Sequence, residues 1–135
     1  MKGPCSMKIG DKIELKETVT EKNVASAAGS GKLPVYGTPY MIALCENAAH
    51  SLLEADLEAG RSTVGTRVNI NHISPSPVGM EVRAVAEITG ISENRKIIDF
   101  KVTCYDSAGL IGEGTHQRAI ISVDRFMEKS SAKLK

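Results

Sequence analysis

A hydroxyl, a carboxylate and an imidazole, at Thr38, Glu46 and His72, are the groups in this sequence whose types could do chemistry together. A carboxylate beside an imidazole stabilises the imidazolium, orients the ring and raises its pKa, as acid–base catalysis requires. A hydroxyl at the start of a helix lies next to unpaired backbone N–H groups, which stabilise negative charge developing on a carbonyl oxygen. Together they make a nucleophile or water-positioning hydroxyl, a base, an orienting acid and an oxyanion site, the equipment of acyl transfer. Taken alone, each has a plainer reading. Thr38 is then a helix cap, Glu46 a carboxylate pinned by hydrogen bonds, and His72 a satisfied core residue. The elements that carry them decide between the readings.

Residues Thr38–Leu57, TPYMIALCENAAHSLLEADL, read as one helix of roughly five turns at ~3.6 residues per turn. Thr38 suits the N-cap, Pro39 the first helical position, and Gly60 a C-terminal cap. The first three turns are apolar on nearly every side, which places the helix in an interior. Glu46 is then a carboxylate in need of a partner, because desolvation costs several kcal/mol uncompensated. Ahead of the helix, Ile13–Thr20 reads as a strand, and residues 21–37, rich in Gly, Ser and Ala, as a loop. A loop this long is either a lid over a site or a disordered surface segment.

After the helix the pattern is strands. In Thr63–Ile73 strict alternation puts Val64, Thr66, Val68, Ile70 and His72 on one face, and Gly65, Arg67, Asn69 and Asn71 on the other. Ser74-Pro75-Ser76-Pro77 breaks the run. Met80–Ile91 alternates with Val82, Ala84, Ala86 and Ile88 on one face. Glu93-Asn94-Arg95 predicts a hairpin into Lys96–Asp106, and Ser107-Ala108-Gly109 a second tight turn into Leu110–Val123. Gly112 and Gly114 in that last strand point to a sharp twist or a close backbone approach. Residues 1–10 read as a flexible leader and 127–135 as a flexible tail, around one domain spanning 1–135.

Composition narrows the function. A net charge of +1 over 135 residues leaves no electrostatic footprint for nucleic acid or an acidic membrane. No apolar run approaches the ~20 residues of a membrane span, and the N-terminus lacks a signal-peptide core, so the expected address is cytoplasmic. Three cysteines, Cys5, Cys45 and Cys104, show no metal-ligand spacing and no even-numbered disulfide framework. No metal and no redox cofactor is expected. With 4% aromatic residues and no Trp, the composition also argues against stacking platforms for single-stranded nucleic acid.

A strand, a loop, a long apolar helix and four antiparallel strands give an α+β chain in which a curved sheet of about five strands wraps the helix, the hot-dog architecture. One sheet covers one side of such a helix, so a homodimer or a dimer of dimers is expected. The segments GTPYMIALCENAA, STVGTRVNINHISPSPVGMEV and IGEGTHQRAII resemble hot-dog thioesterases of the fluoroacetyl-CoA thioesterase type, over nearly everything from Val35 to Phe126. The resemblance implies hydrolysis of an acyl-CoA, with coenzyme A present only as part of the substrate. It implies a catalytic triad of Thr38, Glu46 and His72, which match the family pattern in type and in both spacings. It also places Gly65, His116 and Arg118 at substrate-binding positions, Gly65 near the acyl group. Asn23–Lys32 departs from the pattern, being small and polar where the fluoroacetate-specific enzyme carries bulky apolar residues. That departure points to a different, short-chain acyl-CoA.

His50 lies one turn beyond Glu46 and is within reach of it. Strand geometry and the resemblance both favour His72 as Glu46's partner, which leaves His50 as a surface or dimer-contact residue. Two rival functions share the fold. A 3-hydroxyacyl dehydratase also pairs His with a carboxylate, although Thr38 at the helix start favours hydrolysis. A non-catalytic acyl-CoA-binding module is the rival of a different class, and no helix-turn-helix or basic segment accompanies it here.

Overall fold

The computed structural model describes residues 6–135, so Cys5 lies outside the described residues. The elements run β1 (Lys12–Thr18), a single-turn α1 (Ala25–Ala28), α2 (Thr38–Glu54), β2 (Arg61–His72), β3 (Glu81–Ile91), β4 (Ile97–Asp106), β5 (Gly109–Ser122) and α3 (Val123–Ser131), ending in a 3-10 turn at Ala132–Leu134. The five strands form one antiparallel sheet in the order β1-β3-β4-β5-β2. The two predicted hairpins are present, joining β3 to β4 and β4 to β5.

The alternation predicted for β3 holds: Val82, Ala84, Ala86 and Ile88 are all buried. Ile98, Phe100, Val102 and Cys104 of β4 present a matching inner face. Against these strands α2 buries Met41, Leu44, Cys45, Ala48, Ala49 and Leu53. The Sγ atoms of Cys45 and Cys104 meet at 3.1 Å as free thiols across the helix–sheet contact. One sheet covers one side of α2. Ile42, Ala43, Glu46 and Asn47 lie on the side that it leaves open.

Several expectations are corrected by local hydrogen bonding. The helix stops at Glu54, with Ala55 as its C-cap, and Gly60, at φ +84°, turns the chain into β2 instead of capping α2. The N-cap is Gly37 and not Thr38. Residues 21–37 are held by main-chain bonds, Ala25 N–H to the Val35 carbonyl at 2.8 Å and Gly37 N–H to the Asn23 carbonyl at 2.9 Å, with Val24 buried. Met7 of the expected leader is buried, and its carbonyl accepts a 2.7 Å bond from Arg95. The polar tail is helical as α3, fully on the surface.

The face assigned to β2 also needs correction. The β2–β5 register shifts between Gly65 and Arg67, so Thr66 bulges out of the ladder. A bulge adds one residue and inverts the side-chain phase beyond it. Before the bulge Thr63 and Gly65 face the helix; beyond it Ile70 and His72 do. Strict alternation had put Gly65 opposite His72, and the bulge brings both to the same side.

Gly112 and Gly114 mark the close approach expected of them. A Cβ on Gly112 would stand 2.7 Å from Met41 Cε of α2, and one on Gly114 2.6 Å from Ile70 Cα of β2. Backbone cannot retreat as a flexible side chain can. Gly114→Ala should therefore destabilise the fold by about 1–3 kcal/mol, the usual cost of overpacking. Urea unfolding checks this, and an unchanged midpoint would show that β2 and β5 tolerate the extra methyl.

Candidate active site

The chain enters α2 through Gly37, where a Cβ would lie 2.9 Å from the Tyr40 ring and 3.1 Å from Ala25 N, so a side chain has no room. Thr38 follows as a first-turn residue whose hydroxyl makes no capping bond. Its Oγ1 instead lies 2.8 Å from His72 Nδ1 at the end of β2. The first-turn amides are mostly spent. Pro39 has no N–H, and those of Tyr40 and Met41 both donate to the Gly37 carbonyl at 3.0 Å. Among the described residues, Thr38 N–H is the amide of this terminus left without an internal acceptor.

His72 is set by burial. Its Nε2 is buried with no hydrogen-bond partner among the described residues. Burial pushes the imidazole below its ordinary pKa, partly offset by the Ser74 backbone. Tyr36, fully buried, packs edge-on against the ring at 6.5 Å between centroids. The Tyr36 hydroxyl is held by Glu17 of β1, and desolvation followed by that carboxylate drives its pKa far up, so it stays a neutral donor. Sequence reasoning missed Tyr36, because nothing in the stretch VYGT distinguishes a ring that positions the histidine from ordinary core.

Glu46 heads a second cluster. Its Oε2 lies 3.5 Å from Arg118 NH1 and 4.0 Å from His116 Nε2. His116 is buried, stacks on Phe100, and is 2.8 Å from the Arg67 carbonyl through Nδ1. A carbonyl only accepts, so Nδ1 carries the proton and Nε2 the lone pair, which Arg118 NH1 meets at 3.2 Å. Arg118, which the resemblance places at a substrate-binding position, is 7% exposed. Its Nε and NH2 donate to the Thr63 hydroxyl and carbonyl at 2.9 and 3.1 Å. Both residues thus spend their polar atoms inside the chain. Gly65 gives the carboxylate its space, since a Cβ there would come within 2.5 Å of Glu46 Oε2.

The expected contact between Glu46 and His72 is not made within the chain. Eight residues of helix separate Glu46 from Thr38 by about 12 Å along the axis, and β2 runs antiparallel beneath, so His72 meets Thr38 while Gly65, with Arg118 opposite it on β5, meets Glu46. The expectation that a carboxylate raises the His72 pKa is likewise replaced by a lowering through desolvation. Glu46 is also less buried than its apolar helix implied, with 39% of the side chain exposed at an open depression of about 370 Å³. His50 turns away from Glu46, its Nδ1 lying 3.4 Å from Thr63 Oγ1 and 3.6 Å from Glu54. Among the described residues no three His, Cys, Asp or Glu side chains are grouped to hold a metal ion, and no helix is long and apolar enough to cross a membrane.

A long helix packed against a five-stranded antiparallel sheet in the order β1-β3-β4-β5-β2 is the hot-dog architecture. A hot-dog-like protein from Thermanaerovibrio acidaminovorans shares this fold at a TM-score of 0.87, with 17% identity over 96% of this chain and 94% of that one. The family model for the fluoroacetyl-CoA-specific thioesterase matches residues 19–124. The fluoroacetyl-CoA thioesterase of Streptantibioticus cattleyicolor is 32% identical over 95 residues, 70% of this chain and 67% of the relative. A solved structure of a fluoroacetyl-CoA thioesterase superposes at a TM-score of 0.88, 26% identical, covering 94% of this chain and 97% of that one. The chain belongs to the fluoroacetyl-CoA-specific thioesterase family, a family of thioester hydrolases.

Burial lowers both His72 and His116 from their ordinary values. The unfolded chain then binds protons more readily than the folded one, so stability rises with pH through this range. Their contribution is fully present above ~6.5, the unfolded value, and is lost as pH falls below it. NMR titration of the folded protein should find both imidazoles protonating below ~6.5. A His72 that titrates above that value would restore the carboxylate-paired reading.

Proposed function

We propose that the chain hydrolyses a short-chain acyl-CoA to the free acid and coenzyme A, with Thr38, His72 and Glu46 as the catalytic groups. The observation that carries this reading is the 2.8 Å pair of Thr38 Oγ1 and His72 Nδ1 beside the open Thr38 amide. A neutral imidazole, as burial favours, is a base at neutral pH. It takes the proton of the Thr38 hydroxyl, or of a water that the hydroxyl positions, as oxygen attacks the thioester carbonyl. The Thr38 N–H and the dipole of α2 then face the developing oxyanion. Protonated His72 returns the proton to the departing thiolate, which leaves as coenzyme A. Where water is the attacking oxygen the free acid forms in the same step. Where Thr38 attacks, His72 next takes a proton from a water that attacks the Thr38 ester and gives it to Oγ1 as the acid leaves.

Glu46 enters this scheme through assembly. The chain reads as a homodimer or a dimer of dimers, because β2 ends the sheet as an unpaired edge and the Glu46 side of α2 is uncovered. Held in place by Arg118 and His116, Glu46 then stands ready as the third member of a site completed by another copy. Gly65, His116 and Arg118 support it there. The relatives are named for fluoroacetyl-CoA, but the lid here carries Ala25, Ser26, Ala27 and Ala28, with no bulky apolar side chain, which supports a different short acyl group.

Release of free thiol from a panel of acyl-CoAs tests the activity, and turnover of none of them would overturn it. His72→Ala and Glu46→Ala should each lower kcat by ~10²–10⁴-fold with the fold intact. Thr38→Ser should retain much of the activity, and Thr38→Ala should lose about tenfold or more, or ~1.4 kcal/mol of transition-state stabilisation. An Ala variant that is fully active would make Thr38 a structural residue only. Sedimentation should show a dimer or larger species; a stable, active monomer at low micromolar concentration would contradict the assembly.

A further inference from the structure

The opposite end of β2 from His72 carries a cleft that hydrolysis leaves unused. Arg61 at the start of β2, Lys96 just ahead of β4, and Arg125 and Lys129 of α3 converge on a space of about 280 Å³. Arg125 and Lys129 are one turn apart and so share a face of α3. Ile120, Ile121 and Phe126 form its apolar lining, and no acidic residue lines it. Among the described residues none of the four cations makes an ion pair, whereas Lys16, Arg83 and Arg118 each find a carboxylate. Three separate elements thus bring like charges together with no counter-charge, an arrangement that repels itself until an anion arrives.

We propose that this cleft binds the phosphate groups of a nucleotide. Guanidinium forks match phosphate oxygens in pairs and ammonium groups add point charge. The Phe126 ring, 41% exposed, offers a flat face to a base. The volume suits a nucleotide fragment, being near the lower bound of ~300 Å³ for ligand pockets. Two sources carry this chemistry. β2 separates the cleft from His72 of its own chain by roughly 36 Å, at ~3.3 Å per residue. The nucleotide is therefore either the end of an acyl-CoA serving the Thr38–His72 pair of another copy, or a free nucleotide. The first source rests on the thioesterase reading and the second does not.

Calorimetry with coenzyme A and with ADP, on the full chain and on the Arg125→Glu/Lys129→Glu variant, tests the site without any turnover. Both positions are exposed, so circular dichroism should show an unchanged fold. The variant should bind coenzyme A about tenfold or more weakly, and binding to the unaltered chain should weaken with added salt. Kinetics then separate the sources. If the substrate's own nucleotide occupies the cleft, the variant raises KM for acyl-CoA about tenfold with kcat unchanged, and KM for the matching acyl-pantetheine stays put. If a free nucleotide occupies it, ADP binding falls by the same factor while KM for acyl-CoA is unaltered. Failure of the unaltered chain to bind either molecule, or equal binding by the variant, overturns the proposal. A chain that binds coenzyme A here yet hydrolyses no thioester would leave the cleft standing and remove the enzymatic reading alone.

Discussion

The close packing of α2 on the inner face of the sheet is the constraint on which the rest of the structure depends. Met41 sits over Gly112 with no allowance for a side chain there, and Cys45 over Cys104 in sulfur contact. Such contacts fix where each residue of α2 stands above the strands, because a close-packed interior does not deform continuously. From that register follow both polar clusters. Thr38 is delivered to His72, and Glu46 to Gly65, His116 and Arg118.

The second cluster places an arginine where arginines are rarely found. Arg118 is tolerated in the interior because each of its nitrogens has a partner: Thr63 twice, His116 and Glu46. Burying a guanidinium lowers its pKa by desolvation, and Glu46 acts in the opposite sense. The arrangement demands a neutral His116, whose lone pair faces the cation. A buried charge held this way fixes geometry more than it adds stability. Its product is a carboxylate with one side fastened and the other open to solvent.

Main-chain irregularities set the site as much as side chains do. The bulge at Thr66 brings Gly65 and His72 onto the same face of β2, and Gly37 lets the chain turn into α2 against Ala25. Bulges at sheet edges re-aim side chains in this way. Because the cap is Gly37, the Thr38 hydroxyl is released from capping and free to meet an imidazole.

The sequence by itself determined the order of the five strands and the central helix, the apolar character of that helix, the inward faces of β3 and β4, both hairpins and the candidate groups Thr38, Glu46 and His72. These are legible because helix and strand periods, turn residues and apolar patterning are local properties of the chain. It did not show the strand order, the bulge, the identity of the cap, or the separation of Glu46 from His72. Alternation has no mark for a one-residue slip, and Gly37 and Thr38 are both good capping residues. Which of them caps is decided by Ala25 on one side and His72 on the other, residues far apart in the chain. Tertiary structure alone also decided that Arg118 is buried, because only the meeting of β2, β5 and α2 supplies enough acceptors to take a guanidinium out of water.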